Sequence, residues 1–243
     1  MNATTTIAGP ASSATAFHLS AQQLQYFQSF GFIKLPGLFK PEIERLQEGF
    51  DEAFATRTPN KILREDPLQE TDNPTFTDRK RVILFHLIEK SDALRWLASD
   101  PRVLNIVTAI LGDDYETRPT DGHIFDCDTS WHPDMDLGGD NRARLKLSFY
   151  LDPQRANSGA IRLMPGSHLD GDYANALMTN LYGSPHKVKA LCGVDASEIP
   201  CWTVETDPGD LICWNFRAFH ATFHGFERRR LFSMTFAKAL QSV

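Results

Sequence analysis

The chain reads as an α+β, mainly β domain built around a β-sandwich or barrel. Three observations predict this. Helical spacing is concentrated before residue 112, and six strand-like runs follow from Glu116 onward. Gly-, Pro- and Asn-rich turn clusters separate those runs. Helices first and then a run of strands argue for a single α+β domain of this kind. The 243 residues, 42% hydrophobic and 11% aromatic, are enough to bury one large core.

Ser20 caps a helix through Ala21-Gln22-Gln23-Leu24-Gln25-Tyr26-Phe27 that ends at Gly31. Phe32-Ile33-Lys34-Leu35 reads as a short strand stopped by Pro36-Gly37. A second helix starts near Pro41 and sets Ile43, Leu46, Phe50 and Phe54 at helical spacing. Thr58 to Arg79 is polar and holds Pro59, Pro67 and Pro74, so a lid or mobile loop is expected there. Helices are expected at Asp92 to Leu97 and Pro101 to Leu111. Strands are expected at Glu116 to Cys127, Arg144 to Leu151, Ala160 to Met164, Trp202 to Thr206, Asp210 to Phe216 and Arg229 to Ala237. A helical insertion is expected between Asp170 and Asn180, and no internal repeat is found.

Residues 1–17 are expected to be a disordered tail, with residues 18–243 as the single domain. The tail has no basic n-region and no apolar h-region, unlike a signal peptide. Net charge is −6 and no long basic run occurs, so neither nucleic acid nor an anionic membrane is an expected partner. The four cysteines lack CxxC spacing and read as free thiols. No apolar run reaches the length of a membrane span. A cytoplasmic protein is the expectation.

The chemistry centres on Trp131-His132-Pro133-Asp134 and a distant His220. Two His and one carboxylate suit a mononuclear non-haem iron site, where they occupy one face and leave the other open. In an extended segment His132 and Asp134, at i and i+2, point to one side. Asp136 competes with Asp134, and His224 with His220. His168, beside Pro165-Gly166, is expected to fix a loop. His123 and Phe125 stand at i and i+2 just upstream, with the pocket face as one reading, though His123 is better read as a satisfied core or surface histidine; Trp131, Trp214 and Phe216 are read as core.

Four segments, in order, resemble the phytanoyl-CoA dioxygenase family of Fe(II)/2-oxoglutarate oxygenases. They are the run from Phe30 to Phe39, Trp131-His132-Pro133-Asp134, the run from Asn157 to His168 (similar to the family's NGALRxxPGSH segment), and Gly209-Asp210-Leu211-Ile212 followed by His220. The resemblance spans most of the chain. It implies a double-stranded β-helix (jelly roll, cupin-like) with the N-terminal helices packed on the major sheet. It implies His132, Asp134 and His220 as ligands of Fe(II). It also implies an arginine on the last core strand that binds the far carboxylate of 2-oxoglutarate. On that strand Arg229, Leu231, Ser233 and Thr235 share one face, and Arg230, Phe232, Met234 and Phe236 the other. The more polar face should line the pocket, which favours Arg229, with Arg230 as the alternative. Thr222 stands where the family usually has a serine on the same carboxylate.

The implied reaction takes O2 and 2-oxoglutarate, hydroxylates a C–H bond of a small-molecule substrate, and releases succinate and CO2. A carboxylate at Asp134 argues for hydroxylation over halogenation, because related halogenases have a small residue there. The alternative reading is a cupin-like metal-binding protein or isomerase that does not use 2-oxoglutarate. Neither the prime substrate nor the oligomeric state follows from the sequence.

Overall fold

The computed structural model describes residues 17–56, 58–59, 61–64, 80–134, 142–182 and 185–240. Helix α1 (Ala21–Phe30) opens on a full capping box between Ser20 and Gln23, and Gly31 closes it at φ 84°. Strand β1 (Phe32–Leu35) follows. A 3₁₀ turn at Lys40–Glu42 takes Pro41, so α2 (Ile43–Thr56) starts slightly later than the proline suggested. The stretch expected to be a lid contains strand: β2 (Lys61–Arg64) pairs antiparallel with β3 (Lys80–Phe85). Lys61-Ile62-Leu63-Arg64 is too short to display alternation in sequence. The tail at 1–16, the middle of the expected lid at 65–79 and Asp136 lie outside the described residues.

The helix expected at Asp92 to Leu97 is replaced by a short α3 (Leu87–Lys90) and a 3₁₀ turn, Arg95–Ser99. Helix α4 (Pro101–Leu111) is capped by Asp100, whose Oδ1 accepts from the Arg102 N–H at 2.8 Å. Then come β4 (Tyr115–Phe125), β5 (Thr129–His132), β6 (Arg144–Tyr150) and β7 (Ile161–Leu163). Two helices, α5 (Asp172–Asn180) and α6 (Pro185–Cys192), interrupt before β8 (Trp202–Val204), β9 (Leu211–Asn215), β10 (His220–Thr222) and β11 (Arg229–Lys238). Strands β5 and β10 were not read from the sequence, being only four and three residues long.

The strands form two sheets, in the orders β1-β9-β6-β11-β4-β3-β2 and β5-β10-β7-β8, and every pairing is antiparallel. Period-2 alternation splits the larger sheet cleanly. Leu145, Leu147 and Phe149 of β6 join Phe232, Met234 and Phe236 of β11 in a core shared with α2 and α4. Their neighbours Lys146, Ser148, Tyr150, Leu231 and Ser233 face a cavity between the sheets. Behind the smaller sheet, Trp131, Phe219 and Phe223 pack with Leu177, Leu181 and Val188 of the α5–α6 region. No helix among the described residues is long and apolar enough to cross a membrane.

Phe149 is a keystone of the helix-side core. Its ring stacks on Phe232 at 4.6 Å and meets Phe39 edge-on at 5.0 Å. Phe149→Ala should cost about 3–5 kcal/mol in a denaturant titration, the cost of a large unfilled core site.

Candidate metal centre

In the smaller sheet His220 of β10 lies directly opposite His132 of β5. Their ring centroids are 4.3 Å apart. The Nδ1–H of His132 donates to Ser130 O at 2.6 Å, and that of His220 to Ala218 O at 2.9 Å. Both hydrogen bonds leave Nε2 free of a proton and turned toward a common point. Past β5, the Asp134 N–H donates to Phe216 O at 3.1 Å, which anchors the carboxylate beside the two rings. Asp134 Oδ1 is 3.8 Å from the Nε2 of each histidine. One ligand atom from each of the three residues falls within 4.8 Å of the others.

The protonation states suit a cation. Burial pushes His220 down to about 3, and the neighbouring His132 adds to that shift. Burial likewise lowers His132, against the opposing pull of Asp134. For Asp134 burial alone would favour the neutral acid, but Lys146, His220 and His132 together hold it well below the usual carboxylate range. Two neutral imidazoles and one carboxylate are deprotonated donors that can hold a divalent metal. His224 is exposed and stands outside this group, and His168 instead donates from Nε2 to Gln28 O at 3.1 Å, tying its loop to α1.

Lys146 is a site residue that the sequence did not reveal. Its Nζ donates to Asp134 Oδ2 at 2.6 Å and lies 5.2 Å from the Trp214 ring centroid. One carboxylate oxygen is thereby engaged by Lys146 while the other faces the histidines. Lys146 and Ser148 sit at alternate positions of an apolar strand. The same pattern would mark a strand face open to solvent, and spacing alone does not tell the two apart.

The cavity has a volume of about 200 Å³ and is lined by residues of both sheets, among them Arg81, Asp121, His123, Phe125, Trp214 and Thr222. Trp214, Phe216 and His123 therefore line the cavity, not merely the core. Thr222 is held by its neighbour across the strands: its Oγ1 accepts from the Thr129 N–H at 3.1 Å.

The two candidate arginines part company. Arg230 points away, donating to Asp152 Oδ1 at 2.6 Å and to Asp51 Oδ2 at 2.6 Å. Arg229 is 2% exposed and shares the face of Leu231 and Ser233. It lies across the Phe125 ring at 4.5 Å from the centroid and donates only to the carbonyls of Gly159, Cys127 and Gly225. Its Nε is buried without a partner, and no carboxylate among the described residues pairs with it. A Cβ at Gly159 or Gly225 would occupy the place of this guanidinium, which gives the glycine after Asn157-Ser158 its physical reason.

The sequence model of the phytanoyl-CoA dioxygenase (PhyH) family matches residues 27–229. An ectoine dioxygenase of Bordetella bronchiseptica is 25% identical over 197 residues, which cover 70% of this chain. The match takes in 59% of that relative, so the chain spans less than two thirds of its length. Among solved structures, the non-haem α-ketoglutarate-dependent carbocyclase SnoK of nogalamycin biosynthesis is similar at TM-score 0.69 and 16% identity, covering 95% of this chain and 87% of SnoK. HygX from Streptomyces hygroscopicus, solved with nickel and 2-oxoglutarate, is similar at TM-score 0.66 and 18% identity, covering 93% and 89%. The fold is thus the cupin-like jelly roll, with helices laid on its larger sheet.

The site has a consequence for acid stability. His220 binds a proton more readily in the unfolded chain than in the folded one, so stability rises with pH between its folded value of about 3 and the unfolded value near 6.5. The depressed Asp134 acts in the same sense below its own unfolded value. Chelator-treated protein should therefore lose melting temperature steadily from pH 7 to pH 5, at about 2–4 °C per kcal/mol. The His220→Asn variant should show a shallower decline in the same calorimetric series.

Proposed function

The chain belongs to the phytanoyl-CoA dioxygenase family, and on that premise we propose that it is an Fe(II)- and 2-oxoglutarate-dependent dioxygenase that hydroxylates a C–H bond of a small molecule. The observation that carries this reading is the convergence of two neutral histidines and an ionised aspartate on one point of the cavity between the sheets. His132 and His220 offer Nε2, and Asp134 offers Oδ1, to the metal. Bound iron(II), 2-oxoglutarate and O2 supply the oxidising chemistry, which releases succinate and CO2.

The protein's own residues bind, orient and exclude water. Lys146 keeps Asp134 ionised and occupies its second oxygen. Arg229 is the cation for the far carboxylate of 2-oxoglutarate: it is buried, lacks an acidic partner and has a donor to spare. Its Nε–H, the guanidinium nitrogen without a partner, can donate to that group, with Thr222 contributing a hydroxyl. Phe125, Ile161, Trp214 and Leu231 give the cavity apolar walls. A cupin-like protein that ignores 2-oxoglutarate is the less favoured reading, since the family match and the buried arginine behind Phe125 and Gly159 of the cavity wall both favour the co-substrate. The carboxylate at Asp134 supports hydroxylation over halogenation.

Anaerobic titration of the apo-protein with Fe(II) and then 2-oxoglutarate tests this directly. The expected result is a weak visible charge-transfer band, absent in His132→Ala. In Arg229→Ala the 2-oxoglutarate affinity should fall about 10- to 150-fold, corresponding to about 1.5–3 kcal/mol for a hydrogen-bonded charge. An iron-loaded, folded wild type without the band would overturn the oxygenase reading.

A further inference from the structure

The cavity wall facing the two histidines carries a second His–Asp pair that the reaction above does not use. Asp121 and His123 stand at i and i+2 on the cavity face of β4. The His123 Nε2 and Asp121 Oδ2 form a short hydrogen bond. Asp121 is held ionised: burial opposes this, but Lys146 and His123 outweigh it. An ionised carboxylate can only accept, so Nε2 carries the proton and Nδ1 keeps a bare lone pair. Burial, seconded by the nearby cations Arg81 and Lys146, keeps the ring neutral despite Asp121.

That Nδ1 is buried and has no hydrogen-bond partner, in a side chain only 7% exposed. Arg81 and Lys146 line the same cavity, yet neither donates to this nitrogen. Leu231 and Ile83 face His123 from the two neighbouring strands, and the Phe125 ring lies edge-on at 6.1 Å. An unsatisfied buried acceptor costs about 1–3 kcal/mol, and native structures rarely keep one without a function.

We propose that the Asp121–His123 pair is the substrate-orienting subsite of this cavity, taking a hydroxyl or N–H donor of the substrate at His123 Nδ1. The proposal rests on reading the cavity as the oxygenase active site. Asp121 acts through His123, as a positioning residue that fixes the tautomer. His123 lines the cavity from the larger sheet and the candidate metal ligands line it from on and beside the smaller one, so a substrate bound between the sheets meets both. The prime substrate is then a small alcohol or amine, and not a hydrocarbon or a fully alkylated compound.

The test is ¹⁵N NMR of histidine-labelled apo-protein, with the His123 signals assigned by their loss in His123→Phe. The wild type should show a protonated Nε2 and a bare Nδ1 at neutral pH, and Asp121→Leu should populate the other tautomer. Two isomeric probes then separate donors from non-donors. 1-Butanol should shift the Nδ1 resonance saturably, and diethyl ether should not. A protonated Nδ1 in the wild type, or an equal or absent response to the two probes, overturns the subsite. Because this experiment needs no metal, it separates from the charge-transfer test. A band with an unresponsive Nδ1 rejects the subsite alone, whereas a responsive Nδ1 without a band rejects the oxygenase reading.

Discussion

The pairing of His220 with His132 across two short antiparallel strands is the contact on which the site depends. Each histidine is preceded in sequence by an aromatic residue that the strand turns to the opposite face. Trp131 and Phe219 stack there at 6.2 Å with planes 10° apart, and Phe223 closes on Trp131. The α5–α6 region covers that outer face, and the Trp131 Nε1–H donates to Ala196 O at 2.8 Å. A slip of one residue would drive both rings into the core of the other face, so apolar burial behind the sheet fixes the register that brings the imidazoles together.

The larger sheet answers with charge. Its helix-facing side is apolar, while its cavity-facing side holds Lys146, Asp121 and His123. Buried ion pairs are costly to desolvate and add little to stability by themselves. One such pair, Lys146–Asp134, beside the hydrogen-bonded Asp121–His123 pair in a cavity of about 200 Å³ makes sense when the cavity must hold polar groups in fixed orientation. Lys146 defines which oxygen of Asp134 remains available, and Asp121 defines which nitrogen of His123 does. In both cases a neighbouring residue limits its partner to one donor or acceptor direction.

The two adjacent arginines of β11 show how alternation assigns roles. Arg230 falls on the helix side and finds Asp51 and Asp152. Arg229, one residue earlier, falls on the inner side, where only backbone carbonyls meet it. Gly159 and Gly225 have no side chains there, which leaves room for a planar guanidinium next to the Phe125 ring.

Much of this was legible in the sequence, because local rules decide it. The capping box at Ser20, the proline-led helix at Pro101, the long strands and the two faces of Arg229 to Phe236 follow from spacing and side-chain chemistry within a few residues. Trp131-His132-Pro133-Asp134 and His220 stood out because their residue types fit metal chemistry. Tertiary structure decided the rest. Strands β5 and β10 are too short to show a period, and they exist because each satisfies the backbone of the other. Lys146 and Asp121 looked like ordinary polar positions of half-exposed strands, and His123 like a satisfied histidine beside the motif. Whether such a face meets bulk water or a cavity between sheets depends on which sheet lies opposite, and that is set by pairings between residues some ninety positions apart, such as His132 and His220.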